Sequence, residues 1–150
     1  DRFEVGSVVM TNDFHSVHAP PMPLFAGEFC SPHSTLCSNL RLMTQRTVEM
    51  DKIGLKLHMG TYAMLRGPQF EGLSDKLTLM ADKASVVGMN TYPEACIIAT
   101  YEDLAPHTLA LSFITNTAFE QHKHETNTAR AQEKSALLGA LLSGIVRRVA

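Results

Sequence analysis

The sequence predicts an α/β fold whose sheet contains parallel pairs, and three observations carry that prediction. Short runs rich in Val, Leu and Ile recur at strand length. Between them, apolar residues recur every three to four positions, the period of a helix with one buried face. Polar or Gly-bearing stretches follow directly after the strand-like runs, at 67–71, 89–94 and 115–119. In parallel sheets ligands collect at such carboxyl ends of strands, so these loops are candidate site loops.

Taken in order, Phe3 to Met10 is Val-rich and ends in Thr11-Asn12-Asp13, which predicts a strand and a turn. His18 to Gly27 contains Pro20, Pro21 and Pro23 and reads as a loop. A first helix follows, capped by Ser31, with Pro32 in its first turn and Gly54 as its stop. Leu36, Leu40, Met43 and Thr47 make its expected buried stripe. Leu55 to Leu65 is a second strand, broken by Arg66-Gly67-Pro68. Leu73, Leu77 and Met80 mark a short second helix, and Ser85 to Met89 a compact strand. Thr91-Tyr92-Pro93-Glu94 fits a capping box with Thr91 as the cap, opening a third helix. His107 to Thr115 is a further apolar strand. The last helix is expected over Thr128 to Val149, burying Leu138, Leu141, Leu142, Ile145 and Val149.

Composition narrows the function. The chain has 150 residues, 45% of them hydrophobic, enough for one domain with its own core. A formal charge of −2 with scattered Lys and Arg argues against nucleic-acid binding. No apolar run reaches the roughly 18 to 20 residues of a membrane span, so no membrane partner is expected. Cys30, Cys37 and Cys96 are an odd set without metal-ligand spacing. They read as free thiols in a reducing, cytoplasmic compartment, with a Cys30–Cys37 bridge the alternative for a secreted protein. His122 and His124 at i, i+2 would point apart on a helix. His15 and His18 lie beside prolines and read as a solvated loop, so no metal site is expected.

Two stretches carry a more specific message: Gly60-Thr61-Tyr62, followed by Gly67-Pro68-Gln69-Phe70-Glu71, and then Val87-Gly88-Met89-Asn90-Thr91-Tyr92-Pro93-Glu94. With Phe3-Glu4-Val5-Gly6 and Ser112-Phe113-Ile114-Thr115-Asn116 they form four motifs in one order. This pattern resembles the purine nucleoside phosphorylase family. The resemblance implies an α/β mixed sheet flanked by helices, with residues 1–150 forming the carboxy-terminal portion of a single domain. It implies phosphorolysis of a 6-oxopurine nucleoside, with inorganic phosphate as co-substrate and no other cofactor. It also implies a homo-oligomer, a trimer in the family, or a complementing chain.

The resemblance assigns Phe70 to the purine face and Glu71 to the base edge, where a carboxylate accepting N–H groups fixes orientation. Asn116, with Thr115, addresses the imidazole side, where charge develops as the glycosidic bond breaks. Glu71 and Asn116 are the catalytic pair. Val87 and Met89 wall the base and ribose, Asn90 lies near the phosphate, and Phe29 aligns with an aromatic that crosses to a neighbouring subunit. Outside their motifs these residues have plainer readings: Glu71 as a carboxylate at a helix start, Asn116 closing a turn, Met89 and Phe29 as local packing.

Departures from the family pattern are equally specific. The family's phosphate-binding segments lie upstream of Phe3-Glu4-Val5-Gly6, so the resemblance spans about half of a full-length member. Gly72 stands where Thr is usual, Asn12-Asp13-Phe14 where Arg-Asp-His is usual, and the Gly preceding the Val-Gly-Met strand is missing around Asp82-Lys83-Ala84. His122 and His124 fall too early to match the family's ribose-contacting histidine. The resulting expectations are that these residues alone are inactive, and that the first strand loses its sheet neighbours. A non-catalytic structural or interaction subunit is the alternative.

Overall fold

A computed structural model describes residues 3–19, 29–101, 103, 105, 107–120 and 123–149. The proline loop at 20–28 and His122 lie outside the described residues. Four strands, β1 (Val8–His15), β2 (Leu57–Met64), β3 (Val86–Gly88) and β4 (Leu111–Phe113), hydrogen-bond in the order β3-β2-β1-β4. β2 and β3 are parallel, pairing Tyr62 with Val86 and Met64 with Gly88, whereas β1 and β4 are antiparallel, pairing Val8 with Phe113. Among the described residues five α-helices accompany them: α1 (Ser38–Met50), α2 (Leu73–Ala81), α3 (Thr91–Ala99), α4 (His124–Glu133) and α5 (Ser135–Val149). The expected α/β class with a mixed sheet is thus present. The expectation that the first strand lacks neighbours is overturned: β1 is an interior strand, and Val8, Val9 and Met10 are wholly buried.

The chain divides into two compact units. The first comprises residues 1–10, 38–58 and 111–150. Here α1 packs on α5, with Gly144 against Thr47. Thr44 and Thr47 are fully buried, and their hydroxyls donate to the carbonyls of Leu40 and Met43 at 2.8 Å. Each polar atom is thereby satisfied one turn back, leaving the methyl groups for packing. A Cβ added to Gly144 of α5 would lie 2.5 Å from the Thr47 methyl, so glycine sets how closely the helices approach. The end of the pair is clamped by Arg148, whose two terminal nitrogens donate to the two Asp51 oxygens at 2.7 and 3.0 Å. That fork holds the Asp51 carboxyl below its ordinary range.

The second unit comprises residues 11–37 and 59–110. Its centre is aromatic. Phe14 is buried and meets His33, Tyr62 and Tyr92 edge-on, with ring centroids 5.6–6.1 Å apart. Cys96 is buried nearby on α3, and burial pushes its thiol up to about 11, which makes it unreactive at neutral pH. All three cysteines are free.

Several sequence expectations shift by local physics. The first helix starts at Ser38 rather than after Ser31. Pro32–Thr35 is a separate 3-10 turn, and Leu36 leaves it in extended conformation to bridge Thr108. Leu36, Leu40 and Met43 are only half-buried, while Thr44 and Thr47 are the buried positions. The helix stops at Lys52 (φ +50°), ahead of Gly54. The Ile53 N–H donates to the Val48 carbonyl at 3.0 Å, which closes the helix end. The last helix breaks at Lys134 into α4 and α5, and it buries Leu141 and Ile145 while Leu142 and Val149 are exposed. On α2 the expected stripe Leu73, Leu77 and Met80 faces outward, and Leu79 is the buried residue.

Candidate functional site

The parallel pair β2–β3 positions a candidate site in the second unit. Tyr62 lies on β2, and its side chain passes over Gly88 on β3. A Cβ on Gly88 would meet the Tyr62 hydroxyl and lie 2.9–3.0 Å from its ring carbons. The same hydroxyl accepts the backbone N–H of Thr91 at 3.3 Å, at the start of α3. Thr91 is therefore the first helical residue and not the cap. Asn90 occupies the cap position without a side-chain capping bond, and a tyrosine from the neighbouring strand serves the helix end instead. The Gly-Thr-Tyr and Val-Gly-Met motifs are in this way halves of one packing arrangement.

The two strand-end loops also lock onto each other. Gly67 follows β2, and a Cβ there would lie 2.7 Å from the sulfur of Met89, which follows β3. Glycine at 67 lets Met89 seat against backbone, and that contact fixes where the Gly67–Glu71 loop leaves the sheet. Gly72 then caps α2, and its N–H donates to the Asp75 carboxylate at 2.9 Å. No side-chain hydroxyl is needed to start this helix, because Asp75 supplies the acceptor.

Beyond that loop lies a recess of about 290 Å³ that Phe70 and Glu71 line together with His18, Leu65, Arg66 and Leu79. Glu71 is half-buried and immediately precedes the α2 cap, so its carboxylate sits in the favourable field of a helix start while facing the recess. Phe70 is 46% exposed, an aromatic surface turned to the same space. Val87, the middle residue of β3, is exposed, and Met89 is half-buried.

Thr115 and Asn116 belong to the first unit. The Thr115 hydroxyl donates to the Asn116 carboxamide oxygen at 2.8 Å, and Arg130 donates to the Thr115 carbonyl at 2.6 Å while pairing with Glu120 at 2.5 Å. The segment after β4 is thus held by a charge-assisted bond from α4. Phe29 is fully exposed, which overturns its reading as local packing. His124 is the first residue of α4 and is exposed.

One cluster escaped the sequence. His15, at the end of β1, and His18, in the following turn, both face Asp82, the residue that ends α2. The two histidines were expected in a solvated loop. Their partner is 64 residues beyond His18, and no local spacing signals it.

No curated protein matches this sequence. Among solved structures the fold has strong counterparts. Isoform 2 of purine nucleoside phosphorylase from Schistosoma mansoni, in complex with cytosine and ribose-1-phosphate, is 21% identical, with a TM-score of 0.82 over 99% of this chain and 56% of that one. A Schistosoma purine nucleoside phosphorylase in complex with guanosine is 22% identical, with a TM-score of 0.81 over 98% and 58%. A schistosomal enzyme with hypoxanthine gives 22% and 0.80, covering 98% and 57%. The chain therefore spans a little over half the length of the structures it resembles. Among the described residues, no helix is long and apolar enough to cross a membrane. A family model described as Phosphorylase superfamily matches residues 1–149, in agreement with the four motifs, and the chain belongs to that superfamily.

Proposed function

We propose that this chain carries the purine-recognising part of a purine nucleoside phosphorylase, and that the whole protein cleaves 6-oxopurine nucleosides with inorganic phosphate. The observation that carries this reading is that Phe70 and Glu71 line one recess directly after β2, where a parallel sheet presents ligand-binding loops. Phe70 stacks on the purine, and the Glu71 carboxylate accepts hydrogen bonds from the N–H groups of the base edge. Val87 and Met89 wall the base and ribose, and Asn90 lies toward the phosphate. Asn116 acts on the imidazole side. Its carboxamide oxygen already accepts from Thr115, so the amide is set to donate.

In the reaction a phosphate oxygen bonds to the anomeric carbon of ribose as the bond from that carbon to the purine nitrogen breaks. The purine leaves with the electron pair and takes up a proton. Positioning and stabilisation of the negative charge on the leaving base supply the rate enhancement, and no covalent nucleophile takes part. Most phosphate contacts come from outside these 150 residues, so the chain alone binds purine without turnover. The fold neighbours in complex with guanosine, hypoxanthine and ribose-1-phosphate support this class of substrate. A homo-oligomer in which Phe29 reaches a neighbouring site is consistent with its full exposure.

The test is inosine and guanosine phosphorolysis by the whole protein, purified natively with any segment that completes it, with guanine and hypoxanthine binding measured in parallel. Phosphate-dependent base release, lowered about a hundredfold or more by Glu71→Ala or Asn116→Ala, supports the proposal. Purine binding that depends on Glu71 but comes with no release supports the non-catalytic alternative. Purine binding or release indifferent to both substitutions would sink the site assignment.

A further inference from the structure

We propose that His15, His18 and Asp82 form a binding site for a divalent transition metal, with zinc the best match to its donors. The three donor atoms lie within 4.8 Å of one another. Asp82 Oδ2 is 3.1 Å from His18 Nε2 and 3.4 Å from His15 Nε2. Four ligands placed tetrahedrally at zinc bond lengths of 2.0–2.1 Å stand about 3.3 Å from one another. Both edges to the Asp82 oxygen are of that size, and the edge between the two histidine nitrogens, within 4.8 Å, closes to it by rotation of the imidazole rings. Two imidazole nitrogens with one carboxylate oxygen suit zinc, and disfavour magnesium or calcium, which take oxygen ligands.

A plain ion-pair cluster accounts for this arrangement less well. Both histidines approach the same oxygen of Asp82, and His15 Nε2 is buried without a hydrogen bond despite its proximity. A buried ring nitrogen beside a shared carboxylate, but without a hydrogen bond to it, leaves a lone pair suited to a metal ion. The backbone is fixed on both sides. His15 ends a strand, and the Ala19 N–H donates to the Ser16 carbonyl at 2.9 Å, making the turn that carries His18. Asp82 is held at the end of α2 by its own N–H to the Thr78 carbonyl at 2.9 Å and by Lys83 in the left-handed region.

Three protein ligands leave a fourth position for water. His18 also lines the recess that holds Phe70 and Glu71, so an ion here stiffens one wall of that recess. The proposal does not depend on what the recess binds.

The purified protein, stripped with a chelator, is titrated with zinc chloride by calorimetry and with cobalt chloride by visible absorption. One equivalent should bind, with a cobalt ligand-field spectrum of low coordination number. His18→Ala and Asp82→Asn should each weaken zinc binding at least about tenfold. Both side chains are more than a third exposed, so the metal-free variants should keep the wild-type circular dichroism. His15→Gln serves as the third ligand test should His15→Ala fail to fold, and His33→Ala, at a different histidine, should bind zinc as the wild type does. Absence of stoichiometric binding, or wild-type affinity in His18→Ala and Asp82→Asn, overturns the site. Loss of binding in His33→Ala alone overturns it as well.

Discussion

The two units hold their structures by different means. In the first, α1 and α5 pack together with Gly144 against Thr47, and the hydroxyls of the buried Thr44 and Thr47 are satisfied within their own helix. In the second, the critical contacts are single ones at strand ends: Tyr62 over Gly88 and Met89 against Gly67. The helical interface spreads its energy over many atoms and places no reactive group. The strand-end contacts are few, but each sets the course of a loop that bears a candidate site residue. Damage should therefore register as lost stability in the first unit and as displaced binding in the second.

The largest expected effect is in the core of the first unit. Leu141 is wholly buried, so Leu141→Ala removes its transfer energy and leaves a cavity, at a cost of about 2–5 kcal/mol. Urea unfolding should show it, with purine affinity unchanged in whatever fraction remains folded. An affinity that fell in step with stability would break the contrast between the units.

Gly88→Ala comes next. Its Cβ would meet the Tyr62 hydroxyl and ring, and the strain should cost roughly 1–3 kcal/mol. Because Tyr62 also serves the start of α3, the substitution should weaken purine binding beyond what the stability loss explains. In a Tyr62→Phe background the hydroxyl is gone, and the penalty should shrink. A double-mutant cycle should give a coupling of about 0.5 kcal/mol or more. Strict additivity would mean that the tyrosine relaxes freely and that the two motifs are not linked through it.

This contrast also explains what could be read from the sequence. The loops after β2 and β3 were legible because their glycines, proline and aromatic residues are short-range punctuation with fixed spacing. The interior position of β1 was not, since a strand's neighbours are chosen by the fold: Val8 to Met10 pair with residues more than a hundred positions away. The outward-facing Leu73, Leu77 and Met80 show that an apolar period marks a helix without saying which face is covered. His15, His18 and Asp82 were invisible for the same reason as β1, because only the fold joins a strand end to a distant helix end.

The smallest expected effect comes from a device that both units share. Lys52 ends α1 at φ +50°, and Lys83 ends α2 at φ +62°. In each case the following residue donates back to a carbonyl five positions earlier, Ile53 to Val48 and Ala84 to Leu79. A side chain in the left-handed region costs about 1–2 kcal/mol that glycine does not incur. Glycine in turn frees the unfolded chain, a loss of about 0.4–1 kcal/mol. Lys52→Gly and Lys83→Gly should therefore each gain roughly half to 1 kcal/mol, visible as a rise of a few degrees in the thermal midpoint. The two gains should be alike, since the geometry is the same. If Lys83→Gly gains and zinc binding also holds, the Asp82 backbone is set by the helix end and not by the lysine. If instead Lys83→Gly loses stability while Lys52→Gly gains it, the second unit depends on contacts of the Lys83 side chain that the helix end alone does not supply.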